Sequence, residues 1–362
     1  MRTLAVVGGG VIGLSAAWRA AESGWTVTLY DPAIGTGASW VAGGMLAPLS
    51  EGWPGEDAAL EFGAASLDRW PDFAARLKTS TGVDVFTADE TLTVALDAAD
   101  AADLHTIADW VNERGGALRV LDRAGVRTAE PGLGRSIRAG LLSPTEPAVD
   151  NRALVAALRE ACASAGVQLR AEKVRALTDL PQDRIVLATG AAAAELWPDL
   201  PVHPVKGEIL RLRRRPSAPP PPQRVIRARV HGHPIYLVPR HDGIVLGATQ
   251  YEAGFDTAVT VAGVRDLITD AEAVFPGIGE YEFAEAIAGS RPGSPDNLPL
   301  IGHLDDRVIA ATGHGRNGIL GVPVTVDAVT ALLDGSELPA ARAAAPSRFA
   351  VAHPTATTAA PS

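Results

Sequence analysis

Leu4-Ala5-Val6-Val7-Gly8-Gly9-Gly10-Val11-Ile12-Gly13 is the stretch that decides how this chain begins to fold. Residues 4–7 are a β-rich apolar run, and residues 11–23 carry apolar side chains at helical spacing until Gly24 supplies a stop. Residues 26–30 are a second β-rich run, closed by Asp31-Pro32. Together they predict one β–turn–α–β unit, the start of a parallel sheet. The turn fits Gly-x-Gly-x-x-Gly: Gly8 allows the tight turn, Gly10 lets backbone approach a pyrophosphate, and Gly13 lets helix and strand pack closely. The free N–H groups and positive dipole end of the helix, opened by Val11 and Ile12, then hold phosphates. Asp31 ends the second run 18 residues after Gly13, where a carboxylate accepts bonds from both hydroxyls of an adenosine ribose and repels a 2′-phosphate. The competing reading is a tight β–α turn with no ligand; strand, helix and acid in this order favour a dinucleotide. FAD and NAD share the ADP half, so this motif alone does not separate them.

Residues 35–48 are rich in Gly, Ala and Ser without periodicity, which predicts backbone pressed against a ligand instead of a regular element. Helical spacing returns over 60–77. Between 83 and 142 the character changes, with strand-like 90–96, an acidic helical segment over 98–114 and strand-like 117–121, which reads as an excursion into another domain. Asp150 or Asn151 caps a helix over 152–165, stopped by Gly166 and followed by strands at 167–172 and 184–188, the latter entering a turn at Gly190. The proline-rich residues 216–222 form a stiff loop too short to separate domains. Strand-like runs at 208–212, 234–238 and 244–248 predict a mostly antiparallel sheet, with a helix near 264–274. A last strand at 307–311 enters a second glycine-rich turn and a helix over 324–333, and the Ala/Pro/Thr/Ser composition beyond about residue 335 predicts a flexible tail. No repeat of roughly 20–50 residues is visible, which excludes solenoids and propellers.

At 362 residues, with ~150 per domain, two domains are expected. Hydrophobic residues at 47% and charged residues at 20% match a globular chain and exclude disorder and coiled coil. A net charge of −10 offers no basic excess to displace counterions, so neither nucleic acid nor an anionic membrane is an expected partner. With Cys162 alone there is no internal disulfide, cysteine zinc site or iron–sulfur cluster, and the reducing cytosol fits. Met1-Arg2 and the apolar run after them imitate a secretory leader, but Gly8, Gly9, Gly10 and Gly13 would break its helix, and no run of about 18–20 apolar residues follows. A cytoplasmic location is therefore expected.

Two later motifs choose the cofactor, and a third bears on the substrate. Gly35-Thr36-Gly37-Ala38-Ser39-Trp40-Val41-Ala42-Gly43-Gly44-Met45-Leu46-Ala47-Pro48 stands where a nicotinamide dehydrogenase would carry further β–α units. Ala288-Gly289-Ser290-Arg291-Pro292-Gly293-Ser294-Pro295-Asp296 offers a guanidinium, permanently charged and forked to match two carboxylate oxygens. Ala311-Thr312-Gly313-His314-Gly315-Arg316-Asn317-Gly318-Ile319 is a late strand–glycine–helix turn, which taken alone is also compatible with a plain C-terminal turn. With Val205-Lys206-Gly207-Glu208, the series resembles the D-amino acid oxidase and glycine oxidase superfamily from residue 1 to about 335, and within it the bacterial glycine oxidases of the thiamin-thiazole pathway.

That resemblance implies an α/β protein: a Rossmann-like FAD-binding domain with a parallel sheet (1–82, 143–204 and 291–340) and an α+β substrate domain on a mostly antiparallel sheet (83–142 and 205–290), with 341–362 as tail. It implies FAD held by Gly8, Gly10, Val11, Ile12, Gly13, Asp31 and Pro32, by the loop residues Ala38, Ser39, Gly43, Gly44 and Met45, by Val174 at the adenine and Gly190, and by His314, Gly315, Arg316, Asn317, Gly318, Ile319 and Leu320 around the isoalloxazine. Arg291 would clamp the substrate carboxylate, Tyr236 would line the pocket, and Arg316 would add a second positive contact. Gln250 departs from the family's apolar methionine, Asp31 replaces its usual glutamate, and Trp53, His231 and His233 have no counterpart. His231-Gly232-His233 lacks a third ligand, so no metal is expected. The implied activity is oxidative deamination of glycine or a related small amine, with O2 reduced to H2O2 and the imine serving as thiazole precursor. Sarcosine, another N-substituted glycine or a small D-amino acid is the alternative substrate, and a dehydrogenase with a different electron acceptor the alternative class; oligomeric state stays open.

Overall fold

A computed structural model describes residues 2–349. Strand β1 (Thr3–Val7), helix α1 (Val11–Glu22) and strand β2 (Thr26–Tyr30) form the opening unit. A single helical turn, α2 (Ala38–Val41), interrupts the glycine-rich segment that was expected to hold no regular element. Helical spacing over 60–77 resolves into α3 (Asp57–Leu67) and α4 (Trp70–Thr81). Pro71 separates them: lacking an N–H, it suits the first turn of a helix and not its interior. There follow β3 (Phe86–Ala88), β4 (Thr91–Ala95), α5 (Ala98–Asn112), β5 (Arg119–Asp122), α6 (Arg123–Ala129), β6 (Ala139–Ser143) and β7 (Ala148–Val149). Helix α7 (Asn151–Ser164) is capped by Asp150, whose side chain accepts from the N–H groups of Arg152 and Ala153. The remainder is β8 (Gln168–Arg170), β9 (Arg184–Leu187), α8 (Ala193–Leu196), β10 (His203–Arg213), β11 (Val225–Val230), β12 (His233–Arg240), β13 (Gly243–Gly247), α9 (Val261–Val274), β14 (Glu282–Gly293), β15 (Leu300–His303), β16 (Val308–Thr312) and α10 (Val322–Leu333).

Two sheets carry the molecule. A six-stranded sheet in the order β15-β16-β9-β1-β2-β8 is parallel except for the β15–β16 pair. Leu4 and Val6 of β1 face a core shared with Trp18, Leu154 and Val326 from α1, α7 and α10, while Ala5 and Val7 face the opposite core with Leu187. An eight-stranded sheet in the order β14-β10-β13-β12-β11-β4-β6-β5 is antiparallel except where β11 meets β4. Period-2 alternation splits its strands cleanly: Ile235 and Leu237 of β12 pack with Leu267 and Val274 of α9, whereas Tyr236 and Val238 face away from that helix.

Two expectations need correction. Arg291, assigned with the FAD-binding segments beginning at 291, lies on β14 of the eight-stranded sheet, opposite Val205 of β10. Backbone pairing runs on to Gly293, so the sheet and not the arginine motif sets the end of that segment. Residues 341–349, expected as flexible tail, are packed. The turns Pro339–Ala344 and Pro346–Phe349 bury Ala341 and Ala344, and Arg348 pairs with Asp296 at 2.8 Å. Ala341 and Ala344 pack with Phe62 of α3 and Ile301 of β15, a contact that composition alone does not reveal. Residues 350–362 of that expected tail lie outside the described residues.

Candidate active site

One cavity of about 950 Å³ runs from the opening glycine turn to the face of the eight-stranded sheet that carries Tyr236. It is lined by Gly8, Gly10, Val11, Ile12, Asp31, Pro32, Ala38, Ser39, Gly43, Gly44, Met45, Val174 and Gly190, by His314 through Ile319, and by Tyr236, Gln250 and Arg291. Sequence segments far apart are thus brought onto one surface. Gly13 and Leu320 do not line it. A Cβ on Gly13 would stand 1.8 Å from the Gly8 carbonyl oxygen, so Gly13 serves the packing of α1 on the turn. The Leu320 carbonyl accepts from Ser66 Oγ at 2.6 Å and Trp70 Nε1 at 2.9 Å, which turns this residue into the core.

At the dinucleotide end, Gly8 holds φ +111°, and a Cβ there would meet the Ala188 carbonyl oxygen at 2.3 Å. Helix α1 starts with neither a capping side chain from Gly10 nor an acidic residue in its first turn, and Ser39 Oγ accepts from Val11 N at 3.0 Å. Asp31 accepts from Gly9 N at 2.6 Å and from Ala33 N at 2.7 Å. A carboxylate has about four acceptor sites, so two remain for hydroxyls.

Along the cavity, four lining cations find carboxylates: Lys173 meets Glu195 at 3.3 Å, Arg229 meets Asp103 at 3.2 Å, and Glu51 bridges Arg227 at 3.0 Å and Arg316 at 2.7 Å. Those two guanidinium groups hold the Glu51 carboxyl below its usual range against the cost of burial. Among the described residues, Arg291 is the cavity cation that no carboxylate meets within 4.0 Å. Its guanidinium lies over Gly207, where a Cβ would stand 2.2 Å from Nη1, and Nη1 donates to the Thr249 carbonyl at 3.3 Å. Val205 pairs with Arg291 and Gly207 with Gly289, so the bare glycine faces the arginine along one side of the sheet.

Tyr236 completes this corner. Its ring fills the spaces that side chains on Gly43 and Gly247 would take, at 2.8 and 2.3 Å. Burial holds its phenol above the usual value although the Arg291 guanidinium pulls the other way, so the hydroxyl keeps its proton. His314 is buried with Nε2 2.8 Å from Thr325 Oγ1, and burial pushes its pKa down to about 3, leaving the imidazole neutral. Arg316, expected as a second positive contact, is instead neutralised by Glu51 and half exposed.

Sequence reading missed Glu51 and Arg227. The register offered one signal, since Arg227 pairs with Tyr236 across β11 and β12 and therefore shares its face. Trp53, without an assigned role, lines the cavity and is 41% exposed. His231 and His233 lie at the β11–β12 turn away from it, and no group of three metal-ligating side chains lies together among the described residues.

The chain matches the profile of the DAO family, described as FAD dependent oxidoreductase, over residues 3–332. It belongs to that family. Among curated relatives it is similar to the bifunctional protein ThiO/ThiG of Synechocystis, 34% identical over 95% of this chain and 53% of that protein. It is also similar to the glycine oxidase of Pseudomonas putida, 30% identical over 93% of this chain and 95% of the other. The chain spans about half the length of the bifunctional relatives it matches. A crystal structure of glycine oxidase from Geobacillus kaustophilus superposes with a TM-score of 0.88 at 29% identity, covering 96% of this chain and 99% of the other. The glycine cradle at Gly8, the start of α1 without an acidic side chain in its first turn and the length of the cavity fit FAD. No described helix is long and apolar enough to cross a membrane.

Proposed function

We propose that this chain oxidises glycine, or a closely related small amine, to the imine, which hydrolyses to the 2-oxo acid and ammonia. The observation that carries the reading is Arg291: a guanidinium left without a carboxylate, in a cavity whose other cations are all paired, beside a protonated Tyr236. Arg291 takes the substrate carboxylate through its planar fork and the Tyr236 hydroxyl adds a donor. This fixes the α-carbon toward the segment Gly43–Gly44–Met45. The glycine turn and Asp31 would hold FAD, which when bound would supply a two-electron acceptor for hydride from that carbon, with O2 as final acceptor and H2O2 as product. No side-chain base is required at carbon; His314 is neutral and bonded to Thr325, and Glu51 is engaged by two arginines. What these residues supply is orientation and a fixed electrostatic frame.

A relative named as a putative thiamine biosynthesis oxidoreductase supports a role in thiamin biosynthesis, where the imine would serve as thiazole precursor, and the single, buried Cys162 fits a reducing cytoplasm. Gln250 favours a second reading, because an amide lining the cavity in place of a methionine can accept from the N–H of a substituted amine such as sarcosine. Oxygen uptake with glycine, sarcosine, D-alanine and N-ethylglycine tests both. Glycine or sarcosine should lead with stoichiometric peroxide. Flavin reduction without oxygen uptake would instead indicate a dehydrogenase, and no reduction by any amine would end the proposal.

A further inference from the structure

Arg240 sits four residues from Tyr236 on β12, on the same side of the strand, and its side chain is only 3% exposed. It does not line the cavity. Its Nη2 donates to the Gly43 carbonyl at 2.8 Å and to Asn151 Oδ1 at 3.3 Å, and Nη1 donates to the Pro239 carbonyl at 3.0 Å. Its nearest carboxylate is that of Asp150, 3.6 Å from Nε. Asn151, fully buried, donates from Nδ2 to the carbonyls of Ser39 and Trp40, each at 2.9 Å. Gly43 is therefore gripped from two sides by one strand, with the Tyr236 ring against its α-carbon and the Arg240 guanidinium on its carbonyl.

We propose that Arg240 is a positioning residue that locks the 38–46 loop to β12, so that the loop and the Arg291–Tyr236 corner keep one fixed spacing. A buried cation is a costly way to tie a loop: burial, with Arg211 adding to it against the pull of Asp150, brings this guanidinium down to about 10. The geometry gives the reason for the choice, because three acceptors in different directions need a planar fork that a lysine ammonium, a point donor on a flexible stem, does not reproduce. Asn151 acts on the same loop through neighbouring carbonyls and touches Arg240 directly, so the two side chains form one fastening.

The inference rests on the proposed oxidation only for its kinetic readout. The test uses holoenzyme of wild type, Arg240→Lys, Asn151→Ala and the double variant. Fluorescence titration measures FAD dissociation, hydrogen exchange measures protection of amides 38–46, and oxygen uptake with glycine separates kcat from KM. Arg240→Lys should raise the FAD dissociation constant about tenfold, speed exchange across 38–46 and lower kcat at least tenfold with KM moving less than threefold. The double variant should be no worse than the worse single variant, since either change releases the same loop. Wild-type protection of 38–46 with an unchanged FAD constant would overturn the proposal, as would additive losses in the double variant. If Arg240→Lys does not fold, Asn151→Ala alone decides by the exchange of 38–46. Absence of glycine turnover in wild type would sink the proposed substrate and leave the binding and exchange results to judge Arg240 by themselves.

Discussion

Replacing Gly207 by alanine perturbs the substrate corner without touching any residue assigned to the cofactor. A Cβ at this position would stand 2.2 Å from Arg291 Nη1 and 2.4 Å from its Cζ, about 1.2 Å short of ordinary 3.4 Å contact. The backbone here is paired to β14 through Gly289 and held on its other side by the Lys206–Tyr251 bridge, so the guanidinium must give way. A displacement of ~1 Å is enough to take a charge-assisted hydrogen bond out of range, and one such bond is worth about 1.5–3 kcal/mol. The expected loss in kcat/KM for glycine is therefore roughly 10- to 140-fold. Oxygen uptake across a glycine series reads it, with the visible flavin spectrum confirming that FAD is retained. Gly207→Ala with kcat/KM within twofold of wild type and full flavin content would refute the placement of Arg291 as the carboxylate clamp.

Further expectations address the cofactor end and stability. Gly13→Ala sets a Cβ against the Gly8 carbonyl oxygen at 1.8 Å, a backbone atom with nowhere to go, so the variant should purify colourless; a yellow protein with normal FAD content would contradict the assigned packing role. Asp31→Ala leaves Gly9 N without its acceptor and removes the sites meant for the ribose, so FAD affinity measured by titration should fall roughly 10- to 140-fold, and an unchanged constant would remove Asp31 from the cofactor site. His314 has a pKa of about 3 when folded against ~6.5 unfolded. The unfolded chain therefore binds that proton first, and stability contributed by the neutral imidazole is intact above pH ~6.5 and lost toward pH 3, at ~1.4 kcal/mol per unit. Urea midpoints of His314→Gln should show a shallower acid slope than wild type; equal slopes would place the imidazole in contact with water.

How much of this was legible in the sequence follows from how local each signal is. The β1–α1–β2 unit and the Asp150 cap depend on residues a few positions apart, and the chain shows them openly. The end of β14 is harder, because Glu282-Phe283-Ala284-Glu285-Ala286-Ile287 alternates weakly and Gly289, Pro292 and Gly293 read as a loop. Only pairing with β10 makes it a strand, and with it Arg291 changes sheets. Arg316 was read by its motif as a substrate contact, yet its fate is set by Glu51, 265 residues earlier. Arg240 bonds a carbonyl 197 residues away, and no spacing rule reaches that far. Local pattern finds the ligand-facing turns; partners that neutralise or expose each charge come from the tertiary fold.

Anaerobic titration of wild type and Arg291→Met with glycine, followed in the visible flavin band, tests the central claim most directly. Wild type should bleach with a saturable dependence on glycine, while Arg291→Met, equally yellow at the start, should stay oxidised at concentrations that saturate wild type. Bleaching of Arg291→Met with the wild-type glycine dependence would contradict the account.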